Sequence, residues 1–426
     1  MPARSQPARW RRWAAQPAPH WLGGNRIELL QGGDEMFPRM IAAIDAAARE
    51  VWLATYIFND DPSTAAVADA LDRAARRGVA VRVVVDGFGS RPGLPWLRRR
   101  CAASGVQLEV FRPLERWTAW LQPGQLRRLH QKLCACDGGL AFVGGINLID
   151  DRHDLHHGWA EAPRLDFAVA LEGPLAASVQ VAARAIWARS QLLRLWPEEV
   201  RELARSARPL SRARALARGL RGAGSLRGPD AAPLQPVRAA LLVRDNLRQR
   251  RTIERSYIDA IRAAQQRVDL AVPYFYPGRL FRRALRNAAQ RGVEVRLLLQ
   301  GKIDYRFAAL AAQALYDELC ARGVRIYEYT PAFLHAKVAV IDGRWATVGS
   351  SNIDPMSLLL NLEANLVVDD AGFAAELGRR LDAAFAASAE VSARPRRAGW
   401  RGWIRRGFVA WVAAVYLRMA GITGRY

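Results

Sequence analysis

One pattern of polar residues occurs twice in this chain, and it limits the folds that the chain can adopt. In each copy a His and a Lys stand two residues apart, an Asp follows the Lys, and an Asn stands further on. The spacing is identical in the two copies, which consist of His130, Lys132, Asp137 and Asn147, and of His335, Lys337, Asp342 and Asn352. Each Lys precedes a run of small or apolar residues that predicts a buried strand. The pattern therefore predicts two copies of one structural unit.

The elements around each copy also repeat in the same order. Predicted helices at 65–77 and 280–291 end at Gly78 and Gly292, and a strand rich in Val or Leu follows each glycine. Glycine is typical after a helix because it adopts the left-handed conformation without strain. Near-continuous apolar strands indicate a sheet covered on both faces. We therefore predict a doubled α/β domain in which the two His-x-Lys segments meet.

Changes in composition divide the chain into five predicted segments. These are a basic N-terminal extension (1–25), a first lobe (26–200), an arginine-rich linker (201–235), a second lobe (236–390) and a basic amphipathic tail (391–426). Residues 203–220 of the linker are compatible with a basic amphipathic helix or with a solvated, disordered segment. The longer connection in the first half, between Arg112 and Leu129, is interpreted as a substrate-binding loop or a packed surface loop.

Charge and composition indicate an anionic partner. The chain has 63 basic and 40 acidic residues, a formal net charge of +23, which favours a membrane surface, a nucleic acid or a phosphorylated substrate. Trp400, Trp403 and Trp411 lie among arginines in the tail, as is typical of a helix in the membrane interface, although a helix docked on the second lobe is the alternative. Cys134 and Cys136 are interpreted as small buried residues, and we expect neither a metal nor a cofactor.

Two histidines and two lysines on facing segments suit the transfer of a phosphodiester. One neutral imidazole can attack phosphorus while the other, protonated, supplies the leaving group with a proton. The lysines provide fixed positive charge for the phosphate oxygens, so the scheme requires no metal. Asn147, Asn352 and Ser351 are predicted to donate further hydrogen bonds to phosphate. Asp166 after the first copy and Glu363 after the second are the candidates for fixing the histidine tautomers.

At these residues the sequence resembles the phospholipase D superfamily, whose signature is H-x-K-x4-D followed by G-G/S-x-N. The resemblance implies two α/β/α lobes related by a pseudo-twofold axis, an active site between them and a phosphohistidine intermediate. It also implies that the motif aspartates, Asp137 and Asp342, are usually structural, although they are counted here among the six catalytic motif residues. By analogy with the family, His130 is the nucleophile and His335 is the acid and then the base.

Within that superfamily the chain is most similar to bacterial cardiolipin synthases of the B type, on stretches such as TYIFNDD, GGINLIDD and GSSNIDPMSLLLNLEANL. This implies transfer of a phosphatidyl group between two phosphatidylglycerol molecules by a monomer on the cytoplasmic side of the cell membrane, with no nucleic acid partner. The residues leave other acceptors open, namely phosphatidylethanolamine, another alcohol or water. A metal-independent nuclease is a further alternative, because the positive charge also suits DNA.

Overall fold

The computed structural model describes residues 19–113, 127–155, 157–205, 237–245, 249–301, 315–354, 357–358 and 361–391. The expectations for the N-terminal extension, the loop after Arg112, the linker and the tail lie wholly or mostly outside these residues. Within the described ranges, no helix is both long enough and apolar enough to cross a membrane.

Among the described residues, seven strands of each half correspond in order, whereas a short hairpin in the first half and a short edge strand in the second have no counterpart. In the first half the strands are β1 (Leu22–Gln31), β2 (Glu50–Thr55), β3 (Ala80–Asp86), β4 (Gln107–Phe111), β5 (Leu133–Cys136), β6 (Leu140–Gly144), β7 (His153–Asp154), β8 (Gly158–Trp159) and β9 (Phe167–Glu172). In the second half they are β10 (Val237–Arg244), β11 (Arg267–Ala271), β12 (Glu294–Gln300), β13 (Val324–Tyr329), β14 (Val338–Ile341), β15 (Trp345–Gly349), β16 (Glu363–Asp369) and β17 (Ala389–Glu390).

Fifteen of these strands form one sheet in the order β17-β13-β12-β11-β14-β15-β16-β10-β1-β9-β6-β5-β2-β3-β4. The order reads the same outwards from the antiparallel pair β1–β10, apart from the short edge strand β17. Strands β2, β3 and β4 are parallel, as are β11, β12 and β13. The remaining pair, β7 and β8, is a separate hairpin. The predicted doubled unit with a pseudo-twofold relation is confirmed.

Helices cover the sheet on both faces. They are α1 (Gly32–Ala46), α2 (Pro62–Arg76), α3 (Leu94–Ser104), α4 (Pro174–Arg205), α5 (Thr252–Ala263), α6 (Arg279–Gln290) and α7 (Ala371–Ala386). The helices before Gly78 and Gly292 end as the sequence predicts, because these glycines have φ values of 87° and 89°. Each half is therefore an α/β/α unit, which confirms the predicted fold class.

A shared hydrophobic core holds the two halves together. It contains Leu29, Val143 and Val169 from the first half and Val338 and Leu366 from the second, all of them buried. Helices α4 and α7 complete this core, whereas separate clusters lie beneath α1 to α3 and beneath α5 and α6. Burial of apolar surface at about 25 cal/mol per Å² makes such a shared core a strong constraint on how the halves pack. The segments at the pseudo-twofold axis are therefore held in fixed positions.

Candidate active site

The segments that carry the two histidines cross from one half to the other. The backbone N–H of His130 donates to the carbonyl of Leu362 at 3.0 Å, and the N–H of Leu362 donates to the carbonyl of Arg128 at 2.8 Å. The N–H of His335 likewise donates to the carbonyl of Leu165 at 2.8 Å. Leu129, which precedes His130, therefore lies beside Leu362, which precedes Glu363. In the same way Leu334, before His335, lies beside Leu165, before Asp166. The backbone therefore brings both predicted histidines to the axis.

Each histidine is paired with a carboxylate from the other half. His130 Nδ1 lies 3.0 Å from Glu363 Oε2, and His335 Nδ1 lies 2.6 Å from Asp166 Oδ2. Both carboxylates are buried, with 0% and 1% of their surfaces exposed. A buried carboxylate beside Nδ1 favours the tautomer with the proton on that nitrogen, so Nε2 of each ring is left for the reaction. Both candidate carboxylates therefore contact a histidine, but each contacts the histidine of the other half, which chain order does not reveal. Their role in fixing the tautomers stays a prediction.

Two residues that the sequence reasoning missed support Glu363. The hydroxyl of Ser350 donates to Glu363 Oε2 at 2.5 Å, and the side chain of Gln131 donates to the Glu363 backbone carbonyl at 2.9 Å. The first half has Gly145 where the second has Ser350, and a Cβ there would collide with the carboxylate of Asp166. The serine in the G-S-x-N version of the motif was the available signal. The two histidines therefore have similar partners and different surroundings.

The two lysines are buried beside the histidines. Lys132 Nζ donates to the carbonyl of His130 at 2.8 Å, and Lys337 Nζ donates to the carbonyl of His335. Burial lowers the pKa of Lys132 to about 7 and the pKa of Lys337 to about 8, although nearby carboxylates oppose the shift. Both are thus poised to be charged when a phosphate anion enters, since opposite charge raises the pKa of a lysine.

Burial favours the neutral form of both histidines. Burial lowers the pKa of His130, with the carboxylate of Glu363 acting in the opposite direction. Burial lowers the pKa of His335 well below its usual value, and the positive charges of Lys337 and Arg164 add to this effect. A neutral imidazole is the form that attacks phosphorus. A bound phosphodiester brings negative charge, which favours protonation of the imidazole that acts as the acid.

The assignment of the motif aspartates to the catalytic group requires correction. Asp137 accepts hydrogen bonds from the backbone N–H groups of Ala48, Arg49 and Glu50 at 2.8–2.9 Å. Asp342 accepts three equivalent bonds from residues 265–267. Asp137 is five positions after Lys132 along extended backbone, a span of about 16 Å. These hydrogen bonds lower the pKa of both carboxyl groups. The motif aspartates anchor the strand connections at the ends of β5 and β14 remote from the lysines.

The predicted phosphate donors Asn147, Asn352 and Ser351 differ in their local contacts. Asn147 Oδ1 accepts from the N–H of Ile57 at 3.3 Å, so its amide nitrogen is turned away from that bond. Asn352 Oδ1 is buried and has no hydrogen-bond partner in the described part of the chain. The hydroxyl of Ser351 donates to the carbonyl of Asn352 at 3.2 Å, and phosphate binding by Ser351 stays a prediction. Across the same described ranges, no group of three His, Cys, Asp or Glu could hold a metal ion.

Two His-x-Lys segments facing each other across a pseudo-twofold axis define the class of phosphodiester-transferring enzymes with a doubled motif. The family model described as "Cardiolipin synthase, PLD-like domain" matches residues 40–158 and 257–385. Cardiolipin synthase B of Escherichia coli is 34% identical over 397 residues, covering 89% of this chain and 86% of the relative. Cardiolipin synthase A of Pseudomonas fluorescens is 32% identical over 372 residues, covering 87% and 71%.

The chain belongs to the phospholipase D-like family of cardiolipin synthases. Among solved structures, the fold is similar to the crystal structure of phosphatidylserine synthase from Haemophilus influenzae. The TM-score is 0.63 at 13% identity, with 92% of this chain and 95% of that chain covered. That similarity concerns the fold, and it agrees with the doubled α/β/α architecture described above.

Proposed function

We propose that the protein is a cardiolipin synthase that transfers a phosphatidyl group from one phosphatidylglycerol to another and releases glycerol. The observation that carries the proposal is that His130 and His335 each pair with a carboxylate of the other half, beside Lys132 and Lys337, in a chain that matches cardiolipin synthases over most of its length. In this scheme the donor phosphate lies between the two imidazoles, with both lysines against its oxygens.

In the first half-reaction, Nε2 of His130 attacks the phosphorus of the donor lipid. The bond from nitrogen to phosphorus forms, and the bond from phosphorus to the glycerol oxygen breaks. Protonated His335 gives its proton to that oxygen, so glycerol leaves as a neutral alcohol. Glu363 stabilises the positive charge that develops on His130, because its carboxylate lies 3.0 Å from Nδ1.

In the second half-reaction, a hydroxyl of another phosphatidylglycerol attacks the phosphatidyl-histidine. Neutral His335 removes the hydroxyl proton, the new bond from oxygen to phosphorus forms, and the bond to His130 breaks. The enzyme thereby returns to its starting protonation state. Water in the place of the lipid hydroxyl gives phosphatidic acid, so the acceptor decides between a transferase and a hydrolase.

The cellular setting belongs to the same proposal. The substrate is an anionic membrane lipid and the net charge is +23, so the protein acts as a peripheral protein on the cytoplasmic face of the cell membrane. One chain carries both motifs, so a monomer contains the complete site. Vesicle-flotation assays on cell fractions, with protease added to intact cells, would test the membrane association and its side.

The deciding experiment incubates the purified protein with phosphatidylglycerol vesicles in the presence of EDTA and separates the lipids by chromatography. Cardiolipin and glycerol should appear together, and His130→Ala and His335→Ala should abolish both. His20→Ala is the matched control, because this histidine is exposed and belongs to neither motif, and it should retain activity. Phosphatidic acid as the sole product would identify a hydrolase, and DNA cleavage without lipid turnover would identify a nuclease.

A further inference from the structure

The two halves differ in one segment that borders the active site. Nineteen positions separate Asn147 from Asp166 in the first half, whereas eleven separate Asn352 from Glu363 in the second. The eight additional residues of the first half accommodate the hairpin formed by β7 and β8. Its residue His157 contacts Phe333 of the second half, with ring centroids 5.4 Å apart. The hairpin therefore makes the rim of the site asymmetric on the His335 side.

Arg164 follows this hairpin and is positioned by it. Its backbone N–H donates to the carbonyl of Asp151 at 2.9 Å, and its Nη2 donates to the carbonyl of His153. Arg164 and Asp166 are two residues apart in extended backbone, so their side chains lie on the same face. Asp166 holds His335 on that face at 2.6 Å. The guanidinium is therefore on the side of the cleft that contains His335.

The charge of Arg164 has no counterpart in the second half. The pseudo-equivalent position, two residues before Glu363, is the uncharged Asn361. On the His130 side, Arg128 lies 3.6 Å from the carboxylate of Asp86, which offsets its charge. The side-chain hydrogen bonds of Arg164 go to backbone carbonyls, so no carboxylate of the described residues takes up its donors. Its charge opposes the rise that burial causes in the pKa values of Asp151 and Asp166. That charge lowers the pKa values of His335 and Lys337.

The proposed reaction requires a second phosphate near this position. Two phosphatidylglycerol molecules bring two phosphodiesters into one cleft, and the histidines and lysines bind only the reacting one. An incoming hydroxyl must approach phosphorus opposite His130, where the glycerol left and where His335 removes its proton. The acceptor's own phosphate is one glycerol unit from that hydroxyl, so it lies beyond His335. Arginine suits such a group, because its planar donors match two phosphate oxygens at once.

We propose that Arg164 binds the phosphodiester of the acceptor lipid, so that the hairpin side of the cleft selects an anionic phospholipid with a free hydroxyl over water or a neutral alcohol. This inference rests on the proposed function. It assigns donor and acceptor to different sides of the pseudo-twofold axis, with the donor phosphate between the histidines and the acceptor phosphate beside Arg164.

The test compares Arg164→Gln with the wild type for two acceptors. In phosphatidylglycerol vesicles the variant should make cardiolipin about ten- to a hundredfold more slowly, as expected for the loss of a hydrogen bond to a charged group. With ethanol added, phosphatidylethanol formation should remain within about twofold of the wild type, because an uncharged acceptor needs no cation. Phosphatidic acid should rise as a share of the products. Arg164→Lys should be intermediate, since it retains charge and loses the paired donors.

Arg152→Gln is the matched control, because Arg152 precedes the same hairpin, is half exposed and lies 3.8 Å from Asp34. It should leave both reactions unchanged. Equal losses with ethanol and with phosphatidylglycerol in both Arg164 variants would overturn the inference and place Arg164 in the chemical step or in folding. Unchanged cardiolipin synthesis would overturn it as well. A wild-type protein that forms phosphatidylethanol and no cardiolipin would instead refute the proposed function, and the inference with it, before any variant is made.

Discussion

Replacing Glu363 by Gln tests whether the exchanged carboxylates support catalysis. The substitution removes one negative charge and preserves the size of a side chain that is completely buried. Its Oε2 accepts from Ser350 at 2.5 Å and lies 3.0 Å from Nδ1 of His130. The amide oxygen of Gln can still accept a hydrogen bond, so the main change is electrostatic.

The expected size of the effect follows from the distance. When His130 bonds to phosphorus, its ring becomes positive, and the charge centres of the ring and the carboxylate are about 4 Å apart. At an effective dielectric constant near 20, two unit charges at that distance interact by about 4 kcal/mol. Loss of this stabilisation in the transition state corresponds to a rate lower by about 10³-fold. In the variant, the neutral imidazole of His130 is still present when substrate binds. KM should therefore change much less than kcat.

The assay is a rapid-quench measurement of one turnover with phosphatidylglycerol labelled in its phosphate. The label should appear on the wild-type protein as an acid-labile phosphohistidine together with released glycerol. Glu363→Gln should slow the appearance of both. Asp166→Asn should instead affect the proton transfers of His335, because Asp166 contacts that ring at 2.6 Å.

A control for folding accompanies the measurement on Glu363→Gln. Circular dichroism and the midpoint of thermal unfolding would establish that the variant is folded. A folded Glu363→Gln protein that retains more than about a tenth of the wild-type rate would refute the electrostatic reasoning.

Three other perturbations have distinct expected results. Asp342→Asn should lower the free energy of unfolding in urea by about 1–3 kcal/mol, because the Asp342 carboxylate accepts hydrogen bonds from three backbone N–H groups. The kcat per folded molecule should not change, and a large loss of kcat without a loss of stability would contradict this role. The pKa of Lys132 is about 7, so kcat/KM should fall as pH rises above that value and the ammonium loses its proton; a flat profile to pH 9 would exclude the lysine clamp. Gly145→Ala should lower activity about 100-fold, because its Cβ displaces the Asp166 carboxylate, whereas Gly139→Ala has nothing within 4 Å and should be neutral.

The local sequence pattern was sufficient to predict the strands and helices around each motif and the types of residue that the motifs bring together. The strands that follow Lys132 and Lys337 are short apolar runs, and the glycines after the helices have the left-handed conformation that the sequence predicts. These features depend on neighbours in the chain, so periodicity and spacing reveal them. The repeat itself implied a pseudo-twofold relation, since identical units pack most simply around an axis.

The exchange of carboxylates could not be read from spacing, because it depends on how the halves dock. Asp166 reaches His335 only since Leu165 forms a bridge to the second half, a contact between residues far apart in the chain. Ser350 was missed because its counterpart is Gly145, so the comparison of the two copies hid it. The hairpin was missed because its two strands have two residues each, too few for an alternating pattern.

The exchanged pairs make the two halves of the chain functionally inseparable. A chain cut between Arg205 and Val237 would give two fragments, each with an imidazole and with the carboxylate that belongs to the other fragment's imidazole. Neither fragment contains a complete histidine–carboxylate pair, so activity would require the two to associate and, when association is weak, would rise with the product of their concentrations. The same geometry couples the evolution of the halves, since a change at either carboxylate is selected through a histidine encoded in the opposite half.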